Sequence, residues 1–144
     1  MGTIRLGDRP PLTLAPNVTV AQAARALTER NVGAAAIMDG GRLTGVVSER
    51  DILKKVVAAG RDAEKTSVRE IMSSPAVTVS VKTRVSEAAN LMRERHIRHL
   101  PVLDESGTLV AMLALRYLLY DMMDDMQRNV ADLVGYIMTD GPGG

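Results

Sequence analysis

Two stretches of the 144-residue sequence, residues 13–53 and residues 78–119, repeat each other. The alignment begins at an offset of 65 residues, and one extra residue in a turn of the second copy moves the offset to 66. Chance similarity rarely preserves both residue order and apolar phase over about forty residues, so this repeat constrains the fold more than any other feature. The identical pairs are Thr13/Thr78, Val20/Val85, Ala23/Ala88, Ala24/Ala89, Glu29/Glu94, Arg30/Arg95, Asp39/Asp104, Gly41/Gly107, Leu43/Leu109, Arg50/Arg116 and Leu53/Leu119.

Each copy has the pattern of a strand, a helix, a β-hairpin and a second helix. In the first copy, apolar residues recur at helical spacing from Val20 to Leu27, and Thr19 with Gln22 makes a capping box before them. An Asp-Gly-Gly turn at 39–41 then separates two apolar runs, which is typical of a hairpin. The predicted strands are 12–14, 35–38 and 43–47 in the first copy and 77–79, 100–103 and 109–113 in the second, with second helices over 48–59 and from 114 onward.

A copy of about 45 residues is too small to bury a sheet face alone, whereas two copies packed together can do so. The sequence therefore predicts an α+β fold with α/β-type repeats: two pseudo-symmetric β-α-β-β-α repeats packed through their sheets, plus a C-terminal helix. Such packing creates clefts between the halves, where strand ends meet helix N-termini that favour an anion. The predicted units are an N-terminal arm (1–11), repeat 1 (12–59), a charged linker (60–76) with one helical turn at 68–72, repeat 2 (77–123) and a C-terminal extension (124–144).

The C-terminal helix is predicted to carry an apolar stripe that extends beyond the repeat. A methionine-rich stripe can be a protein-binding surface, and packing on the chain's own sheet or on a second copy is the simpler alternative. We predict that the last residues, 139–144, are disordered. The stripe consists of Leu115, Leu119, Met122, Met126, Val130, Leu133 and Ile137.

Composition excludes several classes of function. The chain has no Phe, no Trp, three Tyr and a formal net charge of +1, so it offers neither the stacking platforms nor the basic face of a nucleic-acid binder. It has no Cys, and therefore no disulfide framework, zinc-finger spacing or thiol nucleophile. The N-terminal residues contain no signal-like apolar run, and no stretch approaches the roughly 18 apolar residues of a membrane span. We therefore expect a soluble, cytoplasmic protein with no nucleic-acid or membrane partner.

The strongest chemical motif follows the hairpin of the first copy, where residues 45–51 read Gly-Val-Val-Ser-Glu-Arg-Asp. Ser48 and Asp51 have the spacing of an ordinary capping box, which is one interpretation. The second copy has Ala114 and Tyr117 at the same positions, yet its pattern also continues into a helix. Because the fold does not require the box there, its presence in the first copy indicates another role.

This organisation resembles the cystathionine-β-synthase (CBS) domain pair, also called a Bateman module, from about residue 12 to residue 122. The resemblance is carried by Thr19-Val20 before an Ala-rich helix, by the motif at 45–51, and by Arg-His-Leu-Pro-Val at 98–102. It implies an adenine nucleotide, with an aspartate on the ribose hydroxyls, a serine near the phosphate, and strand backbone with small apolar residues around the adenine. The implied nucleotide-binding residues are Ser48, Asp51, Arg50, Thr13, Ala34, Ala35, Val47, Arg98, His99 and Arg116.

Within this resemblance, Arg98 and His99 stand at the positions of Gly33 and Ala34 in the first copy, and they are implied to reach across to the phosphate, with Arg116 beside them. A solvated basic corner is the alternative. The small residues at 33–36 fit either an adenine pocket or close helix–strand packing. The two His of the chain have no Cys and no evident carboxylate partner with them, so we predict no metal site. Because the second copy lacks the aspartate, we predict one nucleotide per chain.

The resemblance implies a regulatory sensor of an adenine nucleotide, AMP or else ADP or ATP, that signals to a protein partner in trans. One alternative is a non-catalytic dimerisation scaffold with an empty cleft, and another is a sensor of S-adenosylmethionine or NADH. CBS pairs commonly associate as dimers, so a homodimer is expected. We expect no enzymatic activity and no catalytic cofactor, because the sequence shows no nucleophile–base pair, phosphate-cradling glycine loop or metal set.

Overall fold

The structure is a computed structural model that describes the backbone of residues 2–140 and the side chains of residues 2–135. It contains two three-stranded sheets, one from each repeat, in the orders β1-β2-β3 and β4-β5-β6. In each sheet the first strand is parallel to the second, and the second pairs with the third as an antiparallel hairpin. The predicted α+β fold and its β-α-β-β-α order are confirmed.

The elements of repeat 1 are β1 (Thr13–Leu14), α1 (Val20–Arg30), β2 (Ala34–Asp39), β3 (Arg42–Ser48) and α2 (Glu49–Ile52), followed by a π-helical segment (Leu53–Val57) and a 3-10 turn (Val68–Glu70). Those of repeat 2 are β4 (Val79–Ser80), α3 (Val85–Arg95), β5 (His99–Leu103), β6 (Leu109–Ala114) and α4 (Leu115–Asp140). The predicted capping box of Thr19 and Gln22 is present at α1, whereas α3 begins at Arg84 without a side-chain cap.

The two sheets have equivalent registers, and one proline accounts for their main difference. In repeat 1, Ala36 donates its N–H to the Leu12 carbonyl at 2.9 Å, and Thr13 pairs with Ala36. Pro101 occupies the position of Ala36 in repeat 2 and has no N–H to donate. The ladder of repeat 2 therefore begins one residue later, at Val79, so that the strand predicted at 77–79 is found at Val79–Ser80.

Each repeat has its own apolar core, in which residues of its first helix, α1 or α3, pack on one face of the sheet. β2 of repeat 1 lies against β6 of repeat 2, so the halves meet through their sheets as predicted. The core of repeat 1 contains Val20, Ala23, Leu27, Ala35, Ile37, Val47, Val56, Val68 and Ile71. The core of repeat 2 contains Ile4, Val79, Val85, Ala88, Met92, Leu100, Val102, Ala111, Leu113 and Leu118.

The arm and the linker occupy equivalent places on opposite repeats. Val68, from the predicted linker, donates its N–H to the Val18 carbonyl at 2.9 Å and is fully buried in repeat 1. Ile4, from the predicted arm, donates its N–H to the Thr83 carbonyl at 2.9 Å and is buried in repeat 2. Both segments therefore complete a core, because each forms one short antiparallel bridge and buries apolar side chains, Ile4 from the arm and Val68 with Ile71 from the linker.

Helix α4 leaves the body of the chain about two turns after it begins. Leu118 is fully buried, and Leu115 and Met122 pack partly buried against the core of repeat 2. The other described members of the predicted stripe are exposed, so they do not pack on the chain's own sheet. The side chain of Ile137 lies outside the described residues, as do residues 141–144 of the predicted disordered tail, whereas Thr139 and Asp140 belong to α4.

Candidate functional site

The contact that defines the site is made across the two repeats by His99 on Gly33. A Cβ atom built on Gly33 would lie 3.0 Å from both Cε1 and Nε2 of the His99 imidazole, and 3.3 Å from Oε1 of Glu49. The absence of a side chain at Gly33 therefore admits the ring. Glu49 also donates its N–H to the Gly33 carbonyl at 2.9 Å, so the ring lies beside the first turn of α2.

Ser48 and Asp51 form the capping box that the spacing allows. Asp51 Oδ2 accepts hydrogen bonds from the Ser48 N–H at 2.9 Å and from Ser48 Oγ at 3.0 Å, and Ser48 Oγ accepts from the Asp51 N–H at 3.2 Å. The Asp51 side chain is only 15% exposed. An ionised carboxylate has about four acceptor positions, so Asp51 keeps acceptor capacity beyond the two bonds from Ser48.

Lys55 connects the motif to the segment between the repeats, and sequence reasoning missed it. Its Nζ lies 3.2 Å from Asp51 Oδ1 and donates to the Ile71 carbonyl at 2.8 Å. The spacing of Asp51 and Lys55, four residues apart, is a visible signal of an ion pair on one helix face. The contact with Ile71 has no local signal, because it depends on how the linker folds back.

Gly45 of the motif is explained by packing. A Cβ atom there would lie 2.7 Å from Sδ of Met72 and 2.8 Å from the backbone oxygen of Ser73. Ser73 pairs with Val46 through two hydrogen bonds, of 2.9 and 3.1 Å, which hold this segment against β3. The glycine is therefore required where the linker crosses the strand.

Electrostatics around His99 favour its neutral form. Burial lowers the pKa of His99, Glu49 opposes this by raising it, and Arg116 and Arg98 lower it further. Both arginines are exposed. The Arg116 guanidinium lies 5.3 Å from the ring centre of Tyr117, so it also makes a cation–π contact on its own helix.

The remaining predicted site residues are divided between the core and the surface. Ala35 and Val47 are fully buried with their side chains in the core of repeat 1, so only their backbone atoms can line a cleft. Ala34 is also buried, on the other face of β2. Thr13 is exposed on β1, and Arg50 is exposed in the first turn of α2.

A surface groove of about 510 Å³ lies elsewhere, between β4 and α3 of repeat 2. It contains none of the predicted site residues and lies on the repeat that lacks the Ser-x-x-Asp motif. Within the described residues, no group of three or more His, Cys, Asp or Glu side chains is arranged to hold a metal ion. No described helix combines the length and apolar character needed to cross a bilayer.

Comparison with known proteins agrees with this organisation. The family model of the CBS domain matches the chain twice, over residues 5–58 and 68–124. The CBS domain-containing protein YhcV of Bacillus subtilis (strain 168) is 35% identical over 113 residues, which are 78% of this chain and 79% of that protein. The chain spans 63% and 61% of the lengths of two further relatives, from Methanopyrus kandleri and Arabidopsis thaliana, at 31% and 32% identity.

Two solved structures show the same architecture. CBS domain protein PAE2072 from Pyrobaculum aerophilum, complexed with AMP, is 35% identical, with a TM-score of 0.72 over 81% of this chain and 88% of that one. The CBS domain pair of protein MJ0100, in complex with 5′-methylthioadenosine and S-adenosyl-L-methionine, is 25% identical, with a TM-score of 0.71 over 84% and 93%. The two matched segments begin at Arg5 and Val68, earlier than the predicted repeats at 12 and 77, so each match includes part of the segment that precedes its repeat. This chain therefore belongs to the CBS-domain family, as a pair of CBS domains.

Proposed function

We propose that this chain is a regulatory module that binds one adenine nucleotide, AMP in the first place and also ADP or ATP, in the cleft between its two repeats. The observation that best supports this proposal is the contact of the His99 ring with Gly33. Because Glu49 is hydrogen-bonded to Gly33, this contact holds His99 of repeat 2 beside the first turn of α2, the helix that begins with the Ser-x-x-Asp motif of repeat 1.

Each half supplies a different part of the proposed site. Oδ1 of Asp51 accepts no hydrogen bond from Ser48 and lies 3.2 Å from Lys55 Nζ, so it is the oxygen left to accept from the vicinal hydroxyls of a ribose. Charge-assisted hydrogen bonds of this kind contribute about 1.5–3 kcal/mol each. Arg98 and Arg116 supply positive charge for a phosphate, and His99 supplies a ring nitrogen donor. Ser48 is the N-cap residue of α2 and shares the capping box with Asp51.

The similar structures support an adenosine-containing ligand. They leave two classes of ligand to distinguish, those with a phosphate and those without one. PAE2072 is complexed with AMP, and MJ0100 with 5′-methylthioadenosine and S-adenosyl-L-methionine. All three ligands contain adenine and ribose, and only AMP carries a phosphate. The positive charge of Arg98 and Arg116 favours an anionic ligand, so we rank AMP above S-adenosylmethionine, which carries a sulfonium cation and no phosphate.

Thermal shift measurements test the proposal with AMP, ADP, ATP, S-adenosylmethionine and NADH, each at about 1 mM. A ligand with a Kd of about 10 μM is then at 100-fold excess and stabilises the fold by about 2.7 kcal/mol. This corresponds to a rise in Tm of roughly 5–10 °C for a chain of this size. Calorimetric titration should give one site per chain, because Tyr117 replaces the ribose-binding carboxylate in repeat 2.

The variant Asp51→Ala should abolish the ligand-induced rise in Tm, measured against its own unliganded Tm. Asp104→Ala is the matched control, because Asp104 also accepts backbone hydrogen bonds, from Ser106 and Thr108, in a turn of repeat 2 outside the site. The control should keep the full ligand-induced rise. If no compound raises the Tm of the wild type, the nucleotide proposal fails and the scaffold alternative replaces it.

The proposed role is non-catalytic: ligand binding biases how the halves or subunits pack, and a separate protein partner responds. Self-association is the second part of the proposal, and it has its own observation. Leu53 and Val57 after α2 correspond, at the offset of 66, to Leu119 and Met123 of α4, and all four are between 47% and 66% exposed. Two equivalent apolar faces suit a homodimer, which light scattering of the wild type and of Leu53→Asp would test.

A further inference from the structure

Helix α4 carries a second apolar row, distinct from the face that packs on repeat 2. We call it the α4 seam: Leu119, Met123, Met126, Val130 and Leu133, all between 47% and 66% exposed. Successive members are four, three, four and three residues apart. That is the heptad spacing of a coiled coil, with a period of 3.5 residues, rather than the broader face of a helix that packs on a globular core.

Between Tyr117 and Leu133, every charged residue of α4 lies away from the seam. With Met123 and Val130 at the a positions of the heptad, the charged residues fall at the outer positions b, c and f, and the flanking e and g positions are uncharged. A partner can therefore cover the seam without burying a charge, which would be costly. The charged residues are Asp121, Asp124, Asp125, Arg128 and Asp132.

The composition of the seam favours a second copy of the same helix. The d positions are Leu119, Met126 and Leu133, and β-branched Val130 stands at an a position. β-branched residues at a with Leu at d favour parallel, two-stranded coiled coils. A lipid surface is a poor occupant, because amphipathic membrane helices carry basic polar faces, whereas α4 carries four Asp and one Arg between Tyr117 and Leu133.

The contacts that hold the first turns of α4 to repeat 2 do not cover the α4 seam. Arg5 lies 3.9 Å from Asp121 and 4.0 Å from Asp125, on the outer side of α4. Arg5 follows Ile4, which is buried in the core of repeat 2. The N-terminal segment thus ties the polar side of α4 to its own repeat, and the apolar side points away from these contacts.

We propose that the α4 seam pairs with the same seam of a second copy as a parallel, in-register, two-stranded coiled coil. The inference rests on the self-association proposed above and adds which segment pairs and in which direction. In such a pair, each a or d residue faces the same residue of the other copy. At 1.5 Å per residue, the part of α4 beyond Met122 projects about 27 Å.

The absence of cysteine from the chain gives a clean test by single-cysteine cross-linking. Met126→Cys and Val130→Cys place a thiol at d and a positions that are more than half exposed, so neither change disturbs a core. Under mild oxidation, both should convert almost completely to disulfide-linked dimers. Arg128→Cys, at an outer f position between them, is the matched control and should stay monomeric on a denaturing gel, because outer positions are too far apart to form a disulfide.

Light scattering of the wild type separates the possible failures. If the wild type is a dimer and neither Met126→Cys nor Val130→Cys cross-links, the copies associate elsewhere and the coiled coil is refuted, while the homodimer stands. Cross-linking of Arg128→Cys as fast as that of Val130→Cys would indicate random collision and would also refute it. If the wild type is a monomer at the same concentration, both the coiled coil and the homodimer fail.

Discussion

The two repeats begin their second helices with the same backbone contact. In repeat 1 the Glu49 N–H donates to the Gly33 carbonyl at 2.9 Å, and in repeat 2 the Leu115 N–H donates to the Arg98 carbonyl at 2.8 Å. In both repeats this bond joins the start of the helix to the residue just before the second strand. The entry of the chain into the helix is therefore set by the backbone in either case.

The side chains at the same place differ completely. Repeat 1 adds the reciprocal box of Ser48 and Asp51, whereas repeat 2 has Ala114 and Tyr117, and Tyr117 is 53% exposed. The backbone contact is common to both repeats and the box is not, so the fold does not require the box. We therefore propose that Ser48 and Asp51 serve ligand binding in repeat 1, and substitutions at equivalent positions of the two repeats test this separation of fold from chemistry.

The largest effect is expected from exchanging the residues at one equivalent position of the third strands, Gly45 and Ala111. Gly45→Ala forces the added methyl group against Met72 and the Ser73 carbonyl, and a backbone clash of this kind should reduce the free energy of unfolding by about 2–3 kcal/mol. Ala111→Gly, the matched control, meets no clash and should cost about 1 kcal/mol. Urea unfolding measures both, and equal costs would show that the linker does not constrain β3.

The next effect comes from removing the box. Asp51→Ala removes the acceptor for the Ser48 N–H and the partner of Lys55, and should lower the free energy of unfolding by about 1 kcal/mol, the usual cost of a lost helix cap. Tyr117→Ala, at the equivalent position, should cost less than about 0.5 kcal/mol, as exposed positions usually do. A larger loss in Tyr117→Ala, measured by urea unfolding at low protein concentration, would contradict the comparison.

Sequence reasoning predicted the features that depend on local patterns. The hairpin around 39–41 and the capping box of Thr19 and Gln22 both follow from residues within a few positions of one another. The repeat then extended these predictions to the second half. The fold was therefore predictable from the repeat plus short-range chemistry.

The unpredicted features depend on contacts between distant segments. Ile4 and Val68 each lie in a polar stretch with little periodicity, so the sequence around each residue does not predict that it is buried in a core. The bond from Lys55 to the Ile71 carbonyl spans 16 residues and requires the linker to fold back. In the site, the motif indicated Ser48 and Asp51. The contact of the His99 ring with Gly33 depends on how the two repeats pack against each other, which no local pattern specifies.

A smaller effect on stability is expected from Gly33→Ala. The added methyl group would displace the His99 imidazole, which lies 3.0 Å from that point and is a side chain that can move. The strain is partly offset because Ala restricts the unfolded chain more than Gly, by about 0.4–1 kcal/mol. We expect an almost unchanged free energy of unfolding and a weakened affinity for AMP, measured by calorimetry.

Ala34→Gly is the control, because it changes the neighbouring small residue without adding volume at the ring. The NMR signals of the His99 ring should shift in Gly33→Ala and should stay close to those of the wild type in the control. Unchanged ring signals together with unchanged affinity in Gly33→Ala would show that the imidazole does not sit on Gly33 in solution.

The smallest effect is a dependence of stability on pH through His99. Burial holds the pKa of this imidazole below the value of about 6.5 expected in the unfolded chain. As the pH falls, the unfolded chain takes up the proton first, so the contribution of His99 to stability is complete above about pH 6.5 and is lost between that pH and the lower pKa of the folded chain. The urea midpoint of the wild type should therefore fall from about pH 7.5 to pH 5.5 by more than that of His99→Gln.

Exposed His96, at the left-handed end of α3, provides the control, because Asn tolerates that conformation. His96→Asn should keep the wild-type difference in urea midpoint between the two pH values. Adding AMP tests whether the phosphate lies beside His99, because a phosphate there stabilises the charged ring and opposes the effect of burial on its pKa. With AMP bound, the loss of stability on acidification should shrink in the wild type and stay unchanged in His99→Gln. If AMP changes the pH response of the wild type and of His99→Gln equally, His99 does not contact the phosphate, and repeat 1 alone binds the nucleotide.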